Sequence, residues 1–128
     1  MTEPLFLLDS NICIYILEGL APAVRDRIQT HRPGEIVTSA IVYAEVVRGV
    51  ARDDGIAVAK VESLFRVVPI LPFDQAEAIA YASIPFRRGT FDRLIAAHAL
   101  ALDLTLVTNN VRDFADVPGL KLEDWAGS

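Results

Sequence analysis

The sequence has few of the residues on which several common kinds of site depend. Its 128 residues include one cysteine, Cys13, and two histidines, His31 and His98. A single cysteine excludes an intramolecular disulfide framework and a cysteine-based zinc site. It is also typical of a protein from a reducing compartment.

Long apolar runs are missing as well. No apolar stretch reaches the roughly 18 residues of a transmembrane helix. The first residues, Met1 to Pro4, lack the positive charge of a signal peptide. We therefore expect a cytoplasmic protein that has no membrane anchor.

Basic residues are outnumbered, with 12 Lys and Arg against 17 Asp and Glu and a net charge of −5. This balance argues against nucleic-acid binding through a simple basic surface. It is compatible with an acidic site that carries cations.

Apolar residues, in contrast, are abundant and make up 52% of the chain. This content excludes a disordered protein. A chain of 128 residues suits one domain with its own core, so we expect a single domain over residues 1–128. The apolar surplus predicts surface that a partner covers.

Short β-type runs alternate with longer helical ones along the chain. The predicted strands are residues 5–8, 35–38, 66–70, 104–107 and 120–122. The predicted helices are residues 11–18, 21–31, 40–51, 55–65, 74–84 and 91–102, with a helical turn at 112–115. This alternation predicts an α/β fold of three layers, in which helices cover both faces of a parallel sheet of about five strands. Sites in such sheets lie beyond the carboxyl ends of the strands.

Capping signals mark three of the predicted helix starts. Ser39 precedes the third helix, Asp74 and Glu77 have the spacing of a capping box, and Thr90 precedes the last helix.

Four acidic residues fall at or near the predicted carboxyl ends of strands. Asp9 follows the first strand, Glu45 lies on the helix after the second, Asp92 begins the helix before the fourth, and Asp113 follows the fourth. If the first and fourth strands are neighbours, these side chains converge on one pocket.

Each acid also has an ordinary structural explanation. Asp9 can cap the next helix, and Asp92 can complement a helix dipole, a contribution of roughly 0.3–1 kcal/mol. Glu45 can pair with arginines three and seven residues further on, and Asp113 can cap a turn. Taken together, these explanations weaken, because carboxylates gathered in a partly buried pocket repel one another unless a cation compensates them.

Mg²⁺ or Mn²⁺ supplies such compensation and leaves coordination positions for phosphate. An ion of this kind activates water for an in-line phosphoryl displacement, which needs neither a histidine nor a cysteine nucleophile. The two histidines fit this interpretation. His98 lies in an Ala/Leu-rich helix and is predicted to be a satisfied packing residue, and His31 is predicted to be an exposed helix end.

The segments around the acids resemble PIN domains, and the set as a whole is similar to the VapC family, the ribonuclease toxins of bacterial toxin–antitoxin pairs. The resemblance covers residues 5–122. It is carried by residues 7–11, by Thr38-Ser39 with Glu45 and Gly49, and by residues 91–99, 106–114 and 117–120.

The resemblance implies a Mg²⁺- or Mn²⁺-dependent endoribonuclease with a five-stranded parallel sheet between helices. Asp9, Glu45 and Asp92 match the family's three acids, and Asp113 matches a fourth. Asp9 and Asp92 are the expected direct metal ligands. The expected supporting residues are Asn11, Thr108 and Asn110.

The resemblance also implies partners. Family members are held inactive by a cognate antitoxin of the VapB type, whose tail wraps the toxin and often brings an arginine to the acidic pocket. A homodimer and a toxin–antitoxin hetero-oligomer are therefore expected. The apolar residues between Ile41 and Phe65 predict a groove for an amphipathic helix, although all of them can also belong to the core.

RNA binding by an acidic chain requires local basic residues. Ten of the twelve basic residues are arginine, which makes bidentate phosphate contacts. The candidates for RNA contact are Arg48, Arg52, Arg87, Arg88, Arg93 and Arg112. Each can equally be an ordinary surface charge.

Two other functions that use an aspartate after a strand do not fit this sequence. A haloacid-dehalogenase-type phosphotransferase needs an Asp where this sequence has Asn11, and a receiver domain needs an Asp where the third strand runs into Leu71 and Pro72. Two alternatives stay open: a PIN-like module that binds a partner without turnover, and a PIN nuclease that acts in RNA processing or on DNA.

Overall fold

A computed structural model describes residues 2–88 and 90–126 of the chain. The strands are β1 Phe6–Leu8, β2 Ile36–Ser39, β3 Ile70–Leu71, β4 Thr105–Val107 and β5 Lys121–Glu123. The α-helices are α1 Ser10–Leu17, α2 Pro22–Thr30, α3 Ala40–Arg48, α4 Gly55–Val67, α5 Gln75–Tyr81 and α6 Asp92–Ala101, and a 3-10 turn, η1, covers Val111–Phe114. None of the helices within these ranges is long and apolar enough to cross a membrane.

The five strands form one parallel sheet in the order β3-β2-β1-β4-β5. Leu8 at the end of β1 lies level with Thr38 of β2 and with Val107 of β4. The predicted α/β fold with five parallel strands is therefore confirmed, and so is the condition that the first and fourth strands are neighbours.

The central strands are short, apolar and buried. Leu7, Leu8, Leu106 and Val107 have no exposed surface, and Val37 is almost fully buried. Strands covered by helices on both faces read as continuous apolar runs rather than alternating ones. This burial forces the polar residues that follow each strand to the carboxyl-end edge of the sheet.

Two of the three predicted caps are confirmed. The Ser39 hydroxyl accepts a hydrogen bond of 3.0 Å from the Ile41 amide, and Asp74 and Glu77 form a capping box. Thr90 lies one residue before the N-cap of α6, which is Phe91, and its hydroxyl accepts from the Asp92 amide at 2.7 Å.

The third strand was predicted too early, because Arg66 and Val67 are the last residues of α4 and β3 is only Ile70–Leu71. Helix α4 continues because Leu64 and Val68 stay on its buried side. The residue before a proline avoids the helical conformation, so the chain becomes extended only at Val68, before Pro69.

His31 is the C-cap of α2, which confirms the predicted helix end. Its ring was predicted to be exposed, but it is partly buried. It packs edge-on against Phe6 at 5.3 Å and stacks on Trp125 at 5.8 Å. Arg27 lies 4.3 Å above the Trp125 ring and 3.8 Å from Glu123. We call these five residues the aromatic cluster.

Candidate active site

Asp9, at the end of β1, is the first of the four predicted acids in the chain. Asp9 and Thr108 directly follow the paired residues Leu8 and Val107 of β1 and β4, and both are buried. An Asp9 oxygen accepts from the Ile12 amide at 3.0 Å, so Asp9 does cap α1. Its carboxylate is also hydrogen-bonded to the side chain of Thr108, which ties it to β4 as well.

Burial raises the pKa of Asp9 to about 6. The hydrogen bonds from Thr108 and Ile12 act in the opposite direction, and the negative charges of Asp92 and Glu45 raise the pKa further. Helix capping alone does not account for this environment, because a carboxylate that only capped a helix would be stabilised in its ionised form.

Asp92 begins α6 and is half-buried. Burial is the largest cause of its raised pKa; the Asp113 charge adds to it, while Thr90 and Arg93 oppose it. A residue that merely complemented the helix dipole would have a lowered pKa. Electrostatic coupling therefore links Asp9 with Asp92, and Asp92 with Asp113.

Glu45 lies half-buried on α3 and accepts a short hydrogen bond from the Ser10 hydroxyl. It forms no ion pair with Arg48 or Arg52 within the described part of the chain, so the predicted surface ion-pair alternative is wrong. Ser10 was missed by the sequence analysis. The available signal was its position beside Asp9 at the end of a strand.

Asp113 lies in η1, where its carboxylate accepts a short hydrogen bond from the Asn110 amide group. The Thr108 hydroxyl in turn accepts from the Asn110 backbone N–H at 3.0 Å. Thr108 and Asn110 thus contact the acids that they were predicted to support. Asn11 is exposed on α1, and its side chain makes no hydrogen bond to another described residue.

We call Asp9, Glu45, Asp92 and Asp113 the acidic edge. Its donors are of the type that Mg²⁺ and Mn²⁺ prefer. Over residues 2–88 and 90–126, no three or more His, Cys, Asp and Glu side chains are grouped so that they could hold an ion together. The fit is therefore to a hydrated ion on one or two carboxylates, which is the usual way in which proteins bind Mg²⁺.

His98 is buried on α6, as its prediction as a packing residue requires. Its Nδ1 atom lies 2.7 Å from the Ser39 hydroxyl, at the N-cap of the helix that carries Glu45. Its Nε2 atom makes no hydrogen bond to a described residue, so the ring is satisfied on one side only. Burial lowers the pKa of His98, against the opposing charges of Glu77 and Asp74.

The predicted RNA contacts divide into two groups. Arg48, Arg52, Arg88 and Arg112 are exposed and form no ion pair with a described residue. Arg87 is also exposed, with Nη2 3.5 Å from Asp116.

Arg93 was wrongly assigned to this set. Only 2% of its side chain is exposed, and Nη2 lies 2.9 Å from Asp116 Oδ1. The hydrogen bond from Arg93 lowers the pKa of Asp116. A guanidinium enclosed in this way has no surface to offer a phosphate. Sequence position beside Asp92 suggested contact with substrate, but the register of α6 turns this residue inward.

Two aromatic residues beside the basic pair Arg87-Arg88 were also missed. Phe86 and Phe91 are 70% and 55% exposed, although both are large and apolar. Exposed aromatic rings among arginines are typical of surfaces that bind single-stranded nucleic acid. The signal in the sequence was the interleaving of Phe and Arg directly before Asp92.

The apolar residues between Ile41 and Phe65 serve two roles. Val42, Val46, Val61 and Leu64 are buried in the core, whereas Ile56 is 76% exposed. A cavity of about 360 Å³ between α1, α3 and α4 is lined by Ile56 and reaches Glu45.

A larger open groove of about 1280 Å³ lies between α1, α2 and α4, and no member of the acidic edge lines it. This groove is larger than the cavity beside Glu45, but it is not the candidate reaction site, because the four acids lie outside it.

The family comparison agrees with this geometry. The PIN domain model matches residues 6–120. The tRNA(fMet)-specific endonuclease VapC of Shigella flexneri is 32% identical over 94% of this chain and 98% of its own length.

Solved structures agree as well. The crystal structure of DNA-bound VapBC from Salmonella typhimurium matches with a TM-score of 0.85 and 29% identity, over 95% of this chain and 98% of that one. VapBC2 from Rickettsia felis, bound to a DNA fragment from their promoter, matches with a TM-score of 0.82 and 28% identity, over 94% and 98%. The chain therefore belongs to the VapC family of PIN-domain ribonuclease toxins.

Proposed function

We propose that this chain, acting as one domain over residues 1–128, is an endoribonuclease toxin that depends on Mg²⁺ or Mn²⁺ and is neutralised by a cognate antitoxin. The observation that carries the proposal is the acidic edge itself. Burial raises the pKa of Asp9 and of Asp92; the charges of Asp92 and Glu45 add to this effect at Asp9, and the charge of Asp113 adds to it at Asp92. A fold that keeps like charges close at this cost is suited to binding a cation.

Asp9 and Asp92 are the residues that would hold the ion. When bound, the ion would lower the pKa of a coordinated water and offset negative charge on the phosphate. The chain's own contribution is orientation. The Ile12 amide and Thr108 fix the Asp9 carboxylate, Ser10 orients Glu45, and Asn110 orients Asp113.

Glu45 and Asp113 are proposed to act in direct or water-mediated support of the two ligands. A water placed in line with the scissile bond would attack phosphorus and release the 3′ oxygen. The expected products carry 5′-phosphate and 3′-hydroxyl ends, which distinguishes this reaction from cleavage by the neighbouring ribose hydroxyl.

RNA binding is proposed to use Arg48, Arg52, Arg87, Arg88 and Arg112, all of them exposed. The flanking rings of Phe86 and Phe91 add surfaces on which unpaired bases can stack. Because the net charge of the chain is −5, contact is expected to be local to these residues.

The first substrate to test is transfer RNA, because a relative is described as a tRNA(fMet)-specific endonuclease. Ribosomal and messenger RNA stay as alternatives. All of these substrates would be met in the cytoplasm.

The partner is proposed to be a VapB-type antitoxin, within a complex that also contains a homodimer of this chain. The α1–α3–α4 cavity offers an apolar wall with Ile56 exposed, and it leads to Glu45. An amphipathic helix lying there would place a following arginine near the acidic edge, where its charge replaces that of the metal ion.

The decisive experiment is RNA cleavage by antitoxin-free protein with Mg²⁺, with Mn²⁺ and with EDTA. Asp92→Asn is expected to abolish cleavage, whereas Asp26→Asn, an exposed acid on α2, serves as the matched control. Calorimetric titration with Mn²⁺ gives a readout independent of activity and should show binding that Asp92→Asn weakens. Full cleavage by Asp92→Asn would refute the proposal.

A second candidate, a binding module without turnover, would be favoured by one combination of results. The protein would bind its antitoxin and Mn²⁺ normally and yet leave transfer, ribosomal and messenger RNA uncut.

A further inference from the structure

Arg93 is the largest of the fully buried side chains among the described residues. It follows Asp92 directly on α6, in a segment whose other buried members are Ile95, Ala96, Ala97, His98 and Ala99. A guanidinium in such surroundings loses its hydration and must be compensated by the protein.

The compensation comes from one segment, the one that follows β4. Arg93 Nη2 donates to the Asp113 carbonyl oxygen at 3.0 Å and lies 2.9 Å from Asp116 Oδ1. The other Asp116 oxygen lies 3.5 Å from Arg87 Nη2. A single side chain therefore joins the start of α6 to the backbone of η1.

This arrangement is not the most economical way to stabilise the fold. The second terminal nitrogen, Nη1, is buried and makes no hydrogen bond within the described residues. Replacing buried ion pairs by apolar residues is often neutral or stabilising. A role in stability alone therefore gives little reason for an arginine at this position.

The contacts of Arg93 do have a consequence for the acidic edge. Asp92 precedes it in the chain, and Asp113 supplies the carbonyl that it binds. The turn η1 is only four residues long, so its own backbone hydrogen bonds hold it weakly.

We propose that Arg93, held by Asp116, is a positioning residue that sets the separation of the Asp92 and Asp113 carboxylates. This inference rests on the proposed function, since it assigns a role in the same metal-dependent site. Arg93 itself touches neither RNA nor the ion.

The test uses Arg93→Met, Arg93→Lys and Asp116→Asn, with Arg66→Gln as control. Arg66 also forms an ion pair, with Glu62 at 3.9 Å, but on the exposed face of α4. Methionine fills the buried space without a charge, and lysine keeps the charge but not the two-pronged geometry. Asp116 is 39% exposed, so its amide variant should fold even if the Arg93 variants do not.

For Arg93→Met we expect kcat for RNA cleavage to fall about 10–100-fold while KM stays within about twofold, as when the support of metal ligands is removed. The Kd for Mn²⁺ should rise by about the same factor. Asp116→Asn should show a smaller effect of the same kind, and Arg93→Lys should recover part of the lost kcat. Arg66→Gln should match the wild type.

Two results would overturn the inference. One is wild-type kcat and wild-type Mn²⁺ affinity in both Asp116→Asn and Arg93→Lys. The other is loss of thermal stability in the variants with unchanged kcat per folded molecule, which would make the contact structural only. Failure of the proposed function looks different, because the wild-type chain itself would then cut no RNA, with or without metal.

Discussion

The acidic edge and the aromatic cluster are both assembled from distant parts of the chain. They differ in their charged groups, which are paired with opposite charges in the cluster and lie near like charges at the acidic edge. In the aromatic cluster, Arg27 pairs with Glu123, and the Trp125 indole donates to the same carboxylate at 2.8 Å. At the acidic edge, burial raises the pKa of Asp9 to about 6, and the charges of Asp92 and Glu45 add to this effect without a basic partner among the described residues to offset them.

The difference separates stability from function. In the aromatic cluster, the rings and the charged groups find their partners within the cluster itself, so they stabilise the fold without a ligand. The acidic edge destabilises the metal-free protein, because ionised carboxylates are held close in a partly buried place. Changes in the cluster should therefore alter stability, and changes at the edge should alter activity.

The largest effect is expected for Asp9→Asn. Removing this proposed metal ligand should lower RNA cleavage by on the order of 10³-fold, since metal-assisted charge stabilisation is worth several kcal/mol. Single-turnover cleavage measures the change, with Asp26→Asn as the matched control. Cleavage within tenfold of the wild type would show that Asp9 is not a metal ligand.

Trp125→Ala tests the other region. Loss of the buried ring should lower the free energy of unfolding by about 3–5 kcal/mol, measured by urea denaturation. Cleavage per folded molecule should be unchanged. If activity fell in parallel with no loss of stability, the separation between the two regions would not hold.

The pH dependence sharpens the comparison in the metal-free protein. Since the folded state raises the pKa of Asp9 from 3.8 to about 6, it binds this proton more tightly than the unfolded chain. The contribution to stability is present below about pH 4 and is lost as pH rises through 6, by on the order of 2–3 kcal/mol. Denaturation in EDTA between pH 4 and 7 should show this fall.

The amide variant provides the control for that measurement. In the Asp9→Asn variant, the free energy of unfolding should depend much less on pH between 4 and 7. This variant should also be more stable than the wild type at pH 7 without metal. An unchanged slope would assign the pH dependence to other groups.

The smallest effect is expected on the basic surface. Arg88→Ala should weaken RNA binding about three- to tenfold and reduce the slope of log Kd against log salt by about one unit. The control is Lys121→Ala. Lys121 lies on β5, and its side chain donates to the Asp103 carbonyl oxygen. An identical salt slope in both variants would remove Arg88 from the RNA surface.

Much of the acidic edge could be predicted because its members follow strands. Parallel strands end at a common edge, so apolar runs that finish at Leu8 and Val107 locate Asp9 and Thr108 without further information. Glu45 and Asp92 were located less directly, from helices predicted next to strands, and the family resemblance then matched both to its acids. The order of the strands in the sheet, with β1 between β2 and β4, could not be derived from the apolar runs or from the family resemblance.

The errors have a common physical origin. Arg93 and His31 were placed by their neighbours in the sequence, but which way a side chain points depends on the packing of its whole element. The register of α6 turns Arg93 inward, and Trp125, arriving from the far end of the chain, covers the His31 ring. Long-range contacts of this kind leave no local signal.

The position of β1 in the sheet has a consequence for the order in which the site can form. This strand lies between two partners, and one of them, β4, begins only at Thr105. Asp9 therefore gains its bond to Thr108 and its neighbour Asp92 only when most of the chain has been synthesised. The Asp9 and Asp92 carboxylates are thus brought together only when β1 has paired with β4 and α6 has packed beside them.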